Sequence, residues 1–259
     1  MYPIKSVRFS RSGKFLATAH LDGKVAIWNV HARGLQHVFA PHQMPCLDVD
    51  WYEDALVASC NDMQIALLAV EPSHTVSSWK AHDSFINQVR YNTKNQLLAS
   101  CSDDGSCKVW NMPKLENDGR PSESSAEHLL FANLVGHIER VTCVAWSPTE
   151  VMQLATCGFD STARIWNAST KQCLQIVSGH SRTCLGIAFS LDGGLLASAS
   201  DDGTIIVTSA SDGQRLVEWH EQDRQPACNL AFTVVDGQPY VCAGIQRRAV
   251  ILRPHTGTG

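Results

Sequence analysis

The sequence predicts an all-β fold assembled from tandem four-stranded antiparallel repeats. Three observations predict it. A segment of about 40 residues recurs along the chain. Apolar residues alternate with period two, and helical 3.6-residue periodicity is absent throughout. Asp-Gly hairpin signals fall at residues 22–23, 104–105 and 202–203, the same place in each repeat.

The recurrence is visible residue by residue. LATAHLDGKVAIW (16–28), LASCSDDGSCKVW (98–110) and LATCGFDSTARIW (154–166) nearly superimpose. LASASDDGTIIVT (196–208) keeps the pattern with Thr208 in place of the Trp, and VASCNDMQIALLAV (57–70) is a weaker copy. A turn Asp recurs at 22, 62, 104, 160 and 202, at spacings of 40, 42, 56 and 42 residues. His42, His82, His137 and His180 mark the same period, with His220 the candidate for the last repeat.

Each repeat opens on an alternating strand ending in an aromatic, as in CLDVDW, INQVRY, VTCVAW, CLGIAF and CNLAF. These first strands start near Ile4, Cys46, Ile86, Val141, Cys184 and Ala227. A turn such as Ser12-Gly13 or Asp192-Gly193 leads to the second strand. The hairpin leads to the third, and a loop to the fourth. The sixth repeat, ACNLAF…YVCAGIQRRAVILRP, ends at its third strand. The stretch MPKLENDGRPSESSAEH (112–128) breaks the period by about 13 residues. Being polar and containing Pro, Gly and Ser, it reads as a flexible insertion between the outer strands of the third repeat. Residues 1–259 otherwise read as a single domain.

Composition narrows the function. The 259 residues are 44% hydrophobic and 18% charged, with a net charge of −4. That excludes a wholly disordered or collagen-like chain. It also leaves no bulk basic field for direct nucleic-acid binding. No 18-residue apolar run offers a membrane span, and the N-terminus carries no apolar block of signal-peptide type. The ten cysteines include no C-x-x-C and sit mostly within alternating apolar runs, which points to reduced, structural thiols in an intracellular protein.

A repeat of this length with a His, a Ser/Thr, an Asp and a Trp at fixed offsets resembles the WD-repeat family of β-propellers. The offsets from hydroxyl to Asp to Trp are +4 and +6 in Thr18/Asp22/Trp28, Ser100/Asp104/Trp110 and Thr156/Asp160/Trp166. The chemistry explains the set. The carboxylate accepts from the imidazole, the imidazole reaches the hydroxyl, and the hydroxyl meets the indole N–H, so every buried polar group is satisfied. By this resemblance, His82, Ser100, Asp104 and Trp110 form one structural tetrad, and His137, Thr156, Asp160 and Trp166 another. Repeat one keeps three members, repeat five loses the Trp, and repeats two and six are degenerate. Six blades are recognisable, the last incomplete. Either they close as a six-bladed ring with a three-stranded last blade, or they belong to a seven- or eight-bladed ring.

Residues 45–65, 82–112 and 153–180, the last with its FDST turn, resemble blades of the transducin β-like 1 family. The likeness covers roughly residues 4–210. It implies a nuclear, non-catalytic scaffold of a histone-deacetylase corepressor complex. The partners it implies are proteins or peptides: histone tails, corepressor subunits or deacetylase subunits. That family's eight-bladed propeller follows an N-terminal dimerisation region that this sequence lacks, so the family's assembly is not carried over. Another WD-repeat adaptor, in RNA processing or ubiquitin-ligase recruitment, is the alternative.

An enzyme is the remotest reading. There is no G-x-G-x-x-G, Walker, H-E-x-x-H or G-x-S-x-G motif. Ser, His and Asp recur in blade after blade, whereas catalysis needs one site. No cofactor is implied. No metal is implied either: in Asp103-Asp104 and Asp201-Asp202 the second Asp belongs to the tetrad position and the first to the exposed turn.

The expected partner-binding rim follows from topology. The loop leading into each first strand and the second-to-third-strand hairpin emerge on one side. Positions three and five after the landmark His, and the one before the turn Asp, converge there. These are Leu21, Asn61, Phe85, Asn87, Asp103, Arg140, Thr142, Phe159, Thr183 and Asp201.

Overall fold

In the computed structural model the alternating segments among the described residues form 23 strands, grouped as five four-stranded sheets and one three-stranded sheet. The structure describes residues 3–52, 55–60, 62–71, 73–112, 130–149, 152–221, 223, 225–245 and 248–254. Asn61 and most of the 112–128 insertion lie outside the described residues.

Blade one comprises β1 (Ile4–Phe9), β2 (Phe15–His20), β3 (Val25–Asn29) and β4 (Gly34–Phe39). Blade two comprises β5 (Cys46–Tyr52), β6 (Ala55–Cys60), β7 (Gln64–Ala69) and β8 (His74–Lys80). In blade three, β9 (Ile86–Asn92), β10 (Leu97–Ser102) and β11 (Ser106–Asn111) precede β12 (Leu130–Val135). Blade four runs β13 (Val141–Trp146), β14 (Gln153–Gly158), β15 (Ala163–Asn167), β16 (Gln172–Val177). Blade five runs β17 (Cys184–Phe189), β18 (Leu195–Ser200), β19 (Thr204–Ser209), β20 (Arg215–His220). Blade six has β21 (Ala227–Val235), β22 (Gln238–Ile245) and β23 (Arg248–Leu252). Each sheet is an antiparallel meander in chain order, and the described residues contain no helix. This is the β-propeller blade that the repeat predicts.

The first strands begin at the six residues at which the alternation starts. The first strand pair of every blade carries a register break at its hairpin end: Ile4/Ser6, Cys46/Asp48, Cys101/Ser102, Val141/Cys143, Cys184/Gly186 and Cys228/Leu230. Such bulges increase local twist and re-aim the side chains beside them. The hairpins need a left-handed residue. Gly23 supplies one at φ 78°, and a Cβ there would meet the His42 carbonyl oxygen at 2.3 Å. In the FDST turn of blade four Ser161 takes that conformation, at φ 61°.

The chain divides into two compact units, residues 1–104 with 108–133, and residues 105–107 with 134–259. Within each, apolar side chains of neighbouring blades meet. Ile27, Val49, Trp51 and Leu68 join blades one and two, and Ile65, Leu67, Val89, Leu98 and Trp110 join blades two and three. Ile165, Ile187, Phe189 and Ile206 join blades four and five, and Ala199, Ile205, Val241 and Ile245 join blades five and six. Full burial of each large side chain contributes about 1.5–3 kcal/mol.

The first unit adds buried charge to its first strands. Asp48 accepts from Ser6 Oγ at 2.5 Å and from the Val89 amide at 3.2 Å, and pairs with Arg90. Asp50 accepts from the Tyr91 amide at 2.7 Å. Desolvation raises the Asp50 pKa, against the pull of Arg90 and the Tyr91 amide. The corresponding positions of the second unit carry Cys143 and Ala145, Gly186 and Ala188, and Asn229 and Ala231.

Candidate functional site

The polar framework beneath the hairpins differs from blade to blade. In blade four, Trp166 Nε1 donates to Thr156 Oγ1 at 2.8 Å, and Thr156 Oγ1 lies 2.7 Å from His137 Nε2. His137 Nδ1 lies 2.9 Å from Asp160 Oδ2. An ionised carboxylate only accepts, so Nδ1 carries the imidazole proton and Nε2 accepts from the hydroxyl. Blade three repeats this through His82, Ser100, Asp104 and Trp110, at 2.9 Å from imidazole to carboxylate, 2.7 Å to hydroxyl and 2.9 Å from indole to hydroxyl. In both blades the hydroxyl is committed to an indole and an imidazole and is fully buried, an arrangement without the exposed nucleophile that hydrolysis needs.

The other blades close the same gap differently. In blade one His20, two residues beyond Thr18 on the same strand, lies 2.9 Å from Thr18 Oγ1, which also accepts from Trp28 Nε1 at 3.1 Å. Asp22 instead binds Lys24 Nζ at 2.8 Å. In blade five the Thr204 hydroxyl stands between His180 Nδ1 (2.7 Å) and Asp202 Oδ1 (2.5 Å). In blade two, Ala58 occupies the register position of Thr156, and the buried His42 Nε2 has no partner among the described residues. His220, the candidate landmark for blade six, ends β20 of blade five, is largely exposed and pairs with Glu218 at 3.4 Å. In blade six Arg248 takes over the bridging role, pairing with the buried Glu221 and, at 3.5 Å, with Asp223.

These environments set the ionisation. Burial lowers the pKa of His42, His137 and His180, outweighing the attraction of the neighbouring carboxylates. Burial works to raise Asp160 and Asp202, but donors outweigh it. His137 and Thr162 hold Asp160 low, and Thr204 with the Ser181 amide brings Asp202 to about 2.

This framework positions the rim. In each of three blades the residue before the turn Asp donates its amide to the residue three beyond the landmark His. The bonds are Asp103 N to Phe85 O, Phe159 N to Arg140 O and Asp201 N to Thr183 O, each 2.9 Å. In blade one, Leu21 N donates to Pro3 O at 3.2 Å. In the first unit, Phe85 is exposed, and Asn87 Nδ2 donates to Asp103 Oδ1 at 2.7 Å. In the second unit, the Arg140 guanidinium lies 5.5 Å from the ring centre of the exposed Phe159. Thr142 is occupied differently. Its hydroxyl donates to the carbonyls of Cys157 at 3.0 Å and Cys184 at 2.6 Å, tying blade four to blade five. Asp201 is paired with Arg182 at 3.0 Å.

Two rim residues escape the positional rule. Ile138 is 84% exposed, and the Arg182 side chain is 65% exposed. Ile138 directly follows the landmark His137. Its amide binds Asp160 Oδ2 at 3.3 Å, as those of Asp83 and Ser181 bind their turn Asp, and its side chain stays exposed. That shared place after the His was the signal available in the sequence.

The profile of the family "WD domain, G-beta repeat" matches residues 2–29, 73–111, 129–167 and 171–213. The chain belongs to the WD-repeat family. Among its WD-repeat relatives is the F-box-like/WD repeat-containing protein TBL1X of Mus musculus, 29% identical over 192 residues, covering 74% of this chain and 36% of that protein. The WD40 repeat-containing protein HOS15 of Arabidopsis thaliana is 30% identical over 173 residues, 65% of this chain and 27% of that protein. Protein HIR1 of Cryptococcus neoformans is 30% identical over 215 residues, 81% of this chain and 21% of that protein. The chain thus spans about a third or less of these relatives' lengths. Among solved structures, the computationally designed Ika8 protein superposes with a TM-score of 0.79 at 20% identity, covering 96% of this chain and 70% of that one. That similarity shows the fold.

Proposed function

We propose that this WD-repeat chain is a non-catalytic protein-interaction scaffold that offers its hairpin-side rim to peptides, and that it serves a nuclear histone-deacetylase corepressor complex. The observation that carries the binding face is the recurrent amide bond, which presents Phe85 and Arg140 at equivalent acceptor places and Phe159 at the donor place, with both aromatics exposed. An exposed aromatic beside an arginine, as Phe159 is beside Arg140, is the composition of an interface hot spot. The similarity to the transducin β-like proteins supports the corepressor assignment. Histone tails, corepressor subunits and deacetylase subunits are the partners proposed.

Affinity purification with mass spectrometry tests the complex. Recovery of a histone deacetylase is expected, whereas a cullin in its place would move the chain to a ligase adaptor. Binding to the recovered partner then tests the face. Phe85→Ala, Arg140→Glu and Phe159→Ala should each weaken it, by about thirtyfold for a lost aromatic anchor. Lys14→Ala and Lys94→Ala, in turns at the opposite ends of their sheets, should not. Loss of the partner with the lysine changes alone would place the site on the other face.

A further inference from the structure

We infer that Cys143 and Cys157 form an oxidation site, a cross-strand thiol pair that closes to a disulfide on exposure to hydrogen peroxide. The ladder of β13 and β14 makes the two residues Cα partners, immediately beside the bulge at Val141/Cys143. Facing residues of an antiparallel pair lie about 4.5–5.5 Å apart, within the Cα range of about 4.4–6.8 Å that a disulfide bridges. The two side chains are on the same face of the sheet, as facing residues of an antiparallel pair are. Both also turn toward β17, Cys143 Sγ donating to the Leu185 carbonyl at 3.2 Å and Cys157 Sγ to that of Cys184 at 3.6 Å.

The two thiols have different roles. Cys143 is partly exposed and Cys157 is fully buried. Burial raises the Cys157 pKa well above its usual value, so attack on the oxidant falls to Cys143. The Cys143 sulfur breaks the peroxide O–O bond, becoming a sulfenic acid as one water leaves. Cys157 then attacks that sulfur. The S–S bond forms as the S–O bond breaks, and the Cys157 proton departs in a second water. The thiol pair loses two electrons and the peroxide gains them. Cys143 follows Arg140 and Cys157 precedes Phe159 on the same two paired strands, so the staple joins the strands that lead to both.

Trypsin leaves both cysteines, and no other, in peptide 141–164, and cleavage after Glu150 separates them. After brief peroxide treatment of the whole chain and alkylation, this peptide should lack two hydrogen atoms. Its halves should stay joined until dithiothreitol is added. Cys143→Ser should abolish the link and Cys228→Ser should preserve it. Cys228 is the informative control because it is partly buried, as Cys143 is, and burial together with the neighbouring Cys143 raises its pKa. Cys46 and Cys60 of blade two share the register but fall in a different peptide, so the two pairs are read separately. Stepwise gain of oxygen at Cys143 with the halves separable, or a link from Cys143 to Cys228, would overturn the assignment.

Discussion

Thr156→Val isolates what the buried hydroxyl of a WD tetrad does. The two side chains have nearly the same shape, so the change removes polarity without opening a cavity. It leaves two buried groups without partners: Trp166 Nε1, now donating at 2.8 Å, and His137 Nε2, now 2.7 Å away. Trp166 is 2% exposed and His137 8%, so water cannot readily replace the lost bonds. Each orphaned group costs about 1–3 kcal/mol, giving about 2–6 kcal/mol for the pair. With a urea slope of about 3 kcal/mol/M, the midpoint should fall by about 0.7–2 M.

Equilibrium urea unfolding followed by tryptophan fluorescence and by circular dichroism is the assay. A double-mutant cycle sharpens it. Trp166→Phe removes the indole N–H, so Thr156→Val should cost about 1–3 kcal/mol less in that background. A midpoint unchanged from wild type at unchanged slope would refute the buried-chain reasoning. Strict additivity with Trp166→Phe would refute the link between hydroxyl and indole.

The converse change is available in blade two. Ala58→Ser should give His42 Nε2 a partner and stabilise the chain by about 1 kcal/mol, read as a raised urea midpoint; a lowered midpoint would count against the register argument. The pH dependence has two windows. His42, His137 and His180 have lowered pKa values, so the unfolded chain takes up protons first as pH falls below about 6.5, and stability drops until the folded pKa values are passed. Asp160 and Asp202 are also lowered, Asp202 to about 2. Their contribution is full above about pH 4 and is lost as pH falls toward 2. Urea midpoints across pH 3–8 check this; no loss between about pH 7 and 5 would show that the buried imidazoles are not held neutral.

The strands were legible because each carries its own alternation, and the first strands begin where the alternating runs begin. The tetrad partners of blades three and four were legible because a fixed offset in a β-meander is also a fixed place in space. His20 was not: it substitutes from within its own strand for a histidine expected from the preceding loop, and only the shared face of residues 18 and 20 hints at it. Thr204 was missed because its hydroxyl enters between partners, His180 and Asp202, that are already complementary. Thr142 was legible in position but not in role, since nothing local shows that its hydroxyl serves carbonyls on two blades. The Asp48–Arg90 pair joins residues 42 apart on strands of different blades, and no periodicity within one repeat encodes such a pair.

These substitutions follow one rule. Blade two loses hydroxyl and indole together, with Ala58 and Leu68 at the positions of Thr156 and Trp166. Losing the hydroxyl alone would orphan a buried indole as well as an imidazole, whereas after the joint loss His42 Nε2 is the tetrad atom without a partner among the described residues. Blade five loses the Trp and keeps the hydroxyl. Ser198 then needs no indole, and Thr208 at the Trp position turns its own hydroxyl toward the Leu196 carbonyl. Blade six abandons the imidazole and joins its hairpin-side loop to its third strand with an arginine and two carboxylates. What is retained across these five solutions is a polar link between the loop before the first strand, or that strand's neighbour, and the sheet behind it. That link holds the amide bonds that present Phe85, Arg140 and Phe159. The repeated Ser, His and Asp therefore act on the rim through position, and any chemistry there that leaves few buried groups unpaired can hold the same backbone.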